Sequence, residues 1–238
     1  MRKIFFLFFL TLILVESNGQ LEFRNSNIGR LMNFEDLNGH SLLKKSDPDV
    51  SGSPFMRDDW APAKITLSKG KEIGPLMIKL NIESNELYYL DSAGKEMIAA
   101  DGIVKKIDCV NFYSKDSIRY VFKNGYPSID KQNENFFYQV LAEGKTELLV
   151  KKSKYIRTTK NDLTGDVTKD IVDGADMLYV YANNTMQIYR PSKSFVIQLL
   201  KDKESAISSY IETHKINFKK TAELVMLFNY YNGSGNQP

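Results

Sequence analysis

Leu76, Ile78, Leu80 and Ile82 alternate with Met77, Lys79 and Asn81. This is the two-residue period of a strand that buries one face and wets most of the other. Glu83-Ser84-Asn85 turns the chain, and Leu87 to Leu90 runs back. The same reading predicts short strands over 96–99, 104–112, 117–123, 136–142, 146–155, 177–182 and 185–190. Between them stand Ala93-Gly94, Asn124-Gly125, Glu143-Gly144 and Asn183-Asn184, residues that tolerate the positive φ of tight hairpin turns. Turn signals at roughly ten-residue spacing, with no helical stretch between strands, predict an antiparallel meander. Parallel pairs joined through helices are excluded, because such a crossover needs about a dozen residues.

At Pro191 the period becomes helical. Phe195, Val196, Leu199 and Leu200 share one face, with Ser192 placed to cap the helix. Ile207, Tyr210 and Ile211 mark a second short helix after Asp202. A third is predicted with Asn217 as N-cap, Thr221, Leu224, Val225, Phe228 and Tyr231 as its apolar stripe, and Gly233 as its stop. Each stripe is one-sided, so the helices must pack on the sheet. Residues 160–176 are polar and contain Gly165 and Gly174, which predicts a long loop. Upstream, Leu31, Met32, Phe34, Leu37, Leu42 and Leu43 suit either a short helix or a strand, and 46–54 reads as loop. The expected fold is therefore mainly β: an antiparallel meander half-barrel or sandwich over 63–190, with two or three C-terminal helices over 191–232. It follows an N-terminal segment over 20–62 and ends in a frayed tail over 233–238.

The first residues bear on where the chain works. Arg2 and Lys3 lead an unbroken apolar run from Ile4 to Val15, and Ser17 and Gly19 supply the small-x-small pattern of a signal-peptidase site. The run is too short to span a bilayer as an anchor, which takes about 20 residues. Glu16-Ser17-Asn18-Gly19-Gln20 would end a buried core helix badly. Residues 1–19 are thus expected to be a signal peptide, with a mature chain starting at Gln20 in the periplasm or outside the cell. Loss of Arg2, Lys3 and Glu16 moves the net charge from +3 to +2, too balanced for a nucleic-acid partner. Cys109 is the only cysteine, so the chain forms no internal disulfide and offers no lipid-anchor cysteine after the signal. No later run of 18 apolar residues predicts a membrane span.

Several residues invite a chemical reading. Gly144-Lys145-Thr146 evokes a phosphate loop, but position 139 is Gln where such a loop needs glycine, and the tripeptide sits in a hairpin. Ser41-Leu42-Leu43-Lys44 matches S-x-x-K without the S-D-N and K-T-G elements that accompany it in β-lactamases. His40 and His214 stand near opposite ends and give no metal-ligand spacing; His214 suits a helix C-terminus. Cys109, in line with Ile103 and Ile107, reads as a packing residue rather than a nucleophile. Asp162, Asp166, Asp170, Asp173 and Asp176 are spaced too widely for a compact calcium loop and read as solvated. Asp58 and Asp59 beside Trp60 could form a paired-carboxylate sugar site, although adjacent side chains usually point apart. Lys151, Lys152, Lys154, Arg157 and Lys160 form the main basic run, which reads as protection of a sheet edge, with an acidic partner surface as the alternative. No catalytic, cofactor or metal residue is assigned.

Two stretches, Gly52-Ser53-Pro54-Phe55-Met56-Arg57-Asp58-Asp59-Trp60-Ala61-Pro62 and Phe137-Tyr138-Gln139-Val140-Leu141-Ala142-Glu143-Gly144-Lys145, resemble a group of uncharacterised exported proteins of Gram-negative bacteria. The resemblance spans roughly residues 50–232 and implies location alone. The expected function is a non-enzymatic exported binding or scaffolding protein, in its sharper form a carrier of an apolar ligand or lipid held by the curved sheet. The alternatives are an envelope-polymer hydrolase using the carboxylates of Asp58 and Asp59, and a surface protein binding a partner through its basic strand end.

Overall fold

The computed structural model describes residues 37–41, 49–110 and 119–233, all within one compact unit. The expected signal peptide, most of the N-terminal segment, Lys44 of the S-x-x-K match and the tail beyond Gly233 lie outside the described residues. In chain order the strands are β1 (His40–Ser41), β2 (Val50–Ser51), β3 (Ala61–Leu67), β4 (Glu72–Asn81), β5 (Glu86–Leu90), β6 (Glu96–Ile98) and β7 (Val104–Val110). There follow β8 (Arg119–Lys123), β9 (Tyr138–Ala142), β10 (Thr146–Lys151), β11 (Lys154–Lys160), β12 (Val167–Asp173), β13 (Met177–Ala182) and β14 (Thr185–Ile188). The helices are α1 (Lys193–Leu199), α2 (Glu204–His214) and α3 (Thr221–Asn232).

Among the described residues eleven strands form one sheet in the order β1-β6-β5-β4-β3-β7-β8-β9-β10-β13-β14, and β11-β12-β2 form a second. The large sheet is antiparallel throughout and has two ends, so it is open rather than a closed barrel. The expected mainly β fold with C-terminal helices is what the chain adopts. β1–β6, β3–β7 and β10–β13 pair strands that are not consecutive, so the sheet is not a simple meander, and β2 lies parallel to β12, joining residues far apart in sequence.

Three clusters of buried side chains hold the sheet. The first gathers Ile65, Leu76, Ile78, Leu87, Ile107 and Phe122 from the strands β3 to β8. The second is the helix-covered core, where Val196, Leu200, Ile207, Leu224 and Phe228 meet Leu148 of β10 and Val180 of β13. On the other face of the same strands, Leu149 and Tyr179 join Tyr126 and Tyr138 in an aromatic cluster, with Tyr138 edge-on to Tyr179 at 5.3 Å. β10 is therefore buried on both faces.

The helices follow their predicted chemistry closely. Ser192 caps α1, its Oγ accepting from Phe195 N at 3.2 Å. Gly233 ends α3 at φ 75°, a backbone that glycine adopts without strain. Asn217 is a correction: α3 begins four residues later, after Lys220. Asn217 instead holds the connecting turn, its Oδ1 accepting from Lys219 N and its own N–H donating to Glu223 Oε2 at 2.6 Å. The buried stripe is Leu224, Leu227, Phe228 and Tyr231, with Val225 half-buried.

Other sequence expectations need correction. The periodicity names no strand before Leu76, whereas the chain forms β3 over Ala61–Leu67. Pro62 is tolerated since only β4 pairs with it; the ladder to β7 starts at Ala63. Asn124-Gly125 makes no tight hairpin, and Phe136 and Phe137 lie outside β9. Residues 124–137 form a long connection that carries Tyr126, Ile129 and Phe136 onto the aromatic cluster. The predicted strand 146–155 breaks at Lys152-Ser153 into β10 and β11, and the predicted loop 160–176 contains the seven-residue strand β12.

Candidate functional site

The β11–β12 hairpin between β10 and β13 is the most exposed part of the described chain. β10 pairs with β13 as far as Lys151↔Met177. Beyond the link at Lys152, Ser153, Gly174 and Asp176, β11 and β12 pair from Lys154↔Asp173 to Lys160↔Val167. This hairpin is an arm on the order of 20 Å long, at seven residues per strand. Every β11 residue after Lys154 is exposed. Leu163 at the tip is 97 % exposed, with Tyr155 at 53 % and Ile156 at 46 %.

Acids and bases that lie far apart in sequence are cross-strand neighbours in the arm. Lys154 sits opposite Asp173 and Arg157 opposite Asp170, with ion-pair separations of 3.7 and 3.9 Å. Lys152 and Asp176 pair at 2.5 Å at its base. Asp170 also accepts from Ser51 Oγ of β2 at 2.5 Å, and Lys154 Nζ reaches Ser53 O at 3.0 Å. The carboxylates considered for calcium are thus strung along a strand and its ends. Among the described residues no group of three or more His, Cys, Asp or Glu side chains is placed to hold a metal ion.

A polar groove of about 530 Å³ opens elsewhere, between the loops at 83–86, 99–102 and 131–137. Asn85 ties two of these loops together, donating from Nδ2 to Asn135 O at 3.1 Å and accepting from Phe137 N at 2.9 Å. Asn135 Nδ2 then donates to Asp101 Oδ2 at 3.0 Å. These amides are occupied in holding the loops. Gln132 Oε1 is buried without a hydrogen-bond partner.

The remaining candidates fall in separate places. Asp58 and Asp59 are exposed, and Asp59 borders a niche of about 30 Å³ that Cys109, Met56 and Tyr120 also line. One face of Trp60 is occupied by Lys79, whose ammonium lies 4.9 Å from the ring centre. Cys109 is half-buried against the β3 to β8 core, its Sγ 3.5 Å from Tyr120 O. Burial, and then the Asp108 carboxylate beside it, pushes its thiol up to about 11, the reverse of what a nucleophilic cysteine needs.

Lys145 of the glycine-lysine-threonine turn is tied to Asp202 at 2.5 Å. Asn232 clamps the same turn, accepting from Thr146 N at 3.2 Å and donating to Thr146 O at 2.9 Å. His214 ends α2, with Nδ1 3.0 Å from Tyr210 O and its ring stacked on Tyr210 at 4.0 Å. His40 is exposed in β1.

Comparison with protein-family models, with curated proteins and with solved structures finds no match to this chain. No helix among the described residues is long and apolar enough to cross a membrane.

The sequence singled out both halves of the arm, as a basic run and as an acidic loop, without joining them. The lost signal is β12 itself: Val167, Lys169, Ile171 and Asp173 fall on one face, Thr168, Asp170 and Val172 on the other. Neither face is consistently apolar, so no two-residue period shows.

Proposed function

We propose that this chain is a non-enzymatic exported binding or scaffolding protein that engages its partner through the β11–β12 arm. The observation that carries this reading is the arm's exposure, above all Leu163 at its tip. A hairpin of two seven-residue strands gains little for the fold when its outer strand buries almost nothing; contact with a second molecule gives it a use. The reading of residues 1–19 as an export signal places that partner in the cell envelope or beyond.

The apolar-carrier version has less support. The clusters that back the sheet are filled by their own side chains, and the larger groove is open and rich in polar residues. The hydrolase version lacks a constellation: Asp58 and Asp59 stand exposed, and Trp60 offers one face already covered by Lys79.

A photo-crosslinking residue at position 163, compared with one at the exposed turn residue Lys69, tests the reading in cells that export the protein. Discrete adducts from position 163 and none from 69 are expected. Replacement of 155–172 by a two-residue Asn-Gly turn should abolish them without lowering the thermal midpoint by more than a few degrees. No adduct from 163, or the same adducts from both positions, overturns the arm as the binding element. N-terminal sequencing of the exported protein should start at Gln20 or within a few residues of it; an intact Met1 removes the export reading.

A further inference from the structure

The two edges of the arm are treated differently. The outer edge of β12 is occupied by β2, with Lys169 beside Val50 and Asp170 beside Ser51. The outer edge of β11 has no strand on it among the described residues. The phase of the ladder says which groups that edge presents. Gly174 N donates to Ser153 O and Asn161 N to Asp166 O, both at 2.8 Å. These bonds lie at the two ends of one unbroken register. Antiparallel pairs alternate between bonded and non-bonded, so Tyr155, Arg157 and Thr159 direct their N–H and C=O groups to β12. Ile156 and Thr158 direct theirs outward.

The side chains along this edge say what would pair with it. β11 reads Lys154-Tyr155-Ile156-Arg157-Thr158-Thr159-Lys160, three cations and no acid. Arg157 has an acid across the ladder only at the long separation already given, and Lys160 faces Val167, whereas Lys154 is committed to Ser53 O and Asp173. A second copy of the strand is a poor occupant. Antiparallel self-pairing centred on the middle residue sets Arg157 against Arg157 and Lys154 against Lys160, and like charges directly opposite are destabilising. An acidic strand reverses the sign at the same positions, so the cations that discourage self-association favour it.

We propose, on the basis of the arm reading above, that the open edge of β11 takes up an extended acidic segment of a partner protein as an added strand. Outward N–H and C=O groups of Ile156 and Thr158 supply the main-chain bonds, and Arg157 and Lys160 select the acidic sequence.

The test uses the mature chain and two synthetic nine-residue peptides of alternating valine and glutamate or valine and lysine, read by fluorescence anisotropy. The glutamate peptide should bind, more weakly as salt rises, and the lysine peptide should not. Thr158→Pro removes an outward N–H and no bond to β12, so its thermal midpoint should match the parent's while affinity falls at least tenfold. Lys160→Glu, which leaves the backbone intact, should weaken the glutamate peptide several-fold and keeps the test valid if the proline variant fails to fold. Equal binding of both peptides, no binding of either, or parental affinity in both variants overturns strand addition. Adducts from position 163 that persist in Thr158→Pro retire strand addition while the arm reading stands; absence of adducts in the parent retires the arm reading itself.

Discussion

Residues 146–160 and 167–182 run beside each other twice, first as β10 with β13 and then as β11 with β12, in opposite surroundings. In the first ladder Leu148 and Val180 lie under the helices and Leu149 and Tyr179 under the aromatic loop, all fully buried. In the second, β11 is bare from Tyr155 to Lys160. Both are antiparallel ladders in register, so backbone pairing is common to the two. What differs is the cover. The stability of the first comes from the layers on either side of it, while the second is held by pairing, by β2 along one edge and by a ladder of weak ion pairs. A segment freed from core duty in this way can meet another molecule without unfolding the domain.

The comparison can be broken most forcefully at Phe228, which is fully buried over the first ladder. Phe228→Ala is expected to cost about 3–5 kcal/mol, measured by urea denaturation beside the parent. A loss under about 1 kcal/mol would mean that α3 is a detachable cover rather than core.

Gly144 tests the joint between helix and sheet. Its φ of 152° and the approach of Asn232, whose Cγ would lie 2.4 Å from an added Cβ, leave no room for a side chain. Gly144→Ala should cost about 1–3 kcal/mol and loosen the clamp of Asn232 on Thr146, seen as faster amide exchange at Thr146.

Alkaline pH should weaken the domain through its buried thiol and phenols. Burial holds the Cys109 thiol neutral up to about 11 and the phenols of Tyr138 and Tyr189 up to about 12, whereas unfolded they ionise near 9.0 and 10.0. Their folded pKa values are raised, so their contribution is complete below pH 9 and is lost as pH rises through 11 to 12. Thermal midpoints should be level from pH 7 to 8.5 and fall steadily above 9. Thiol reagents at pH 8 should label Cys109 roughly a hundredfold more slowly in the folded protein than after denaturation, on the thiolate fraction alone. Equal rates would show an open, activated thiol.

The smallest effect belongs to the arm. Leu163→Ser should change stability by less than about 0.5 kcal/mol, because the side chain is 97 % exposed. A larger loss would show the tip packing on the domain and erase the contrast between the two ladders.

Local chemistry alone made much of this molecule legible. Leu76, Ile78 and Leu80 announced the buried face of β4, Asn183 and Asn184 announced a two-residue turn with φ of 50° and 58°, and Ser192 and Gly233 announced helix ends. Each signal is carried by neighbours in sequence: side-chain periodicity, a cap, or a residue tolerant of positive φ. Tertiary structure decided the rest. Asn217 looked like a cap and holds a turn, because Glu223 reaches back to its N–H. Residues 124–137 looked like a hairpin and strand, and were drawn instead over Tyr138 and Tyr179 to bury an aromatic face. The arm was visible as two charged stretches, but not as one element, since Arg157 and Asp170 become neighbours only through the β11–β12 register. Periodicity tells a strand which of its faces is apolar. It says nothing about a ribbon that buries neither face, nor about which distant strand will lie alongside, because those are settled by burial and pairing summed over the whole chain.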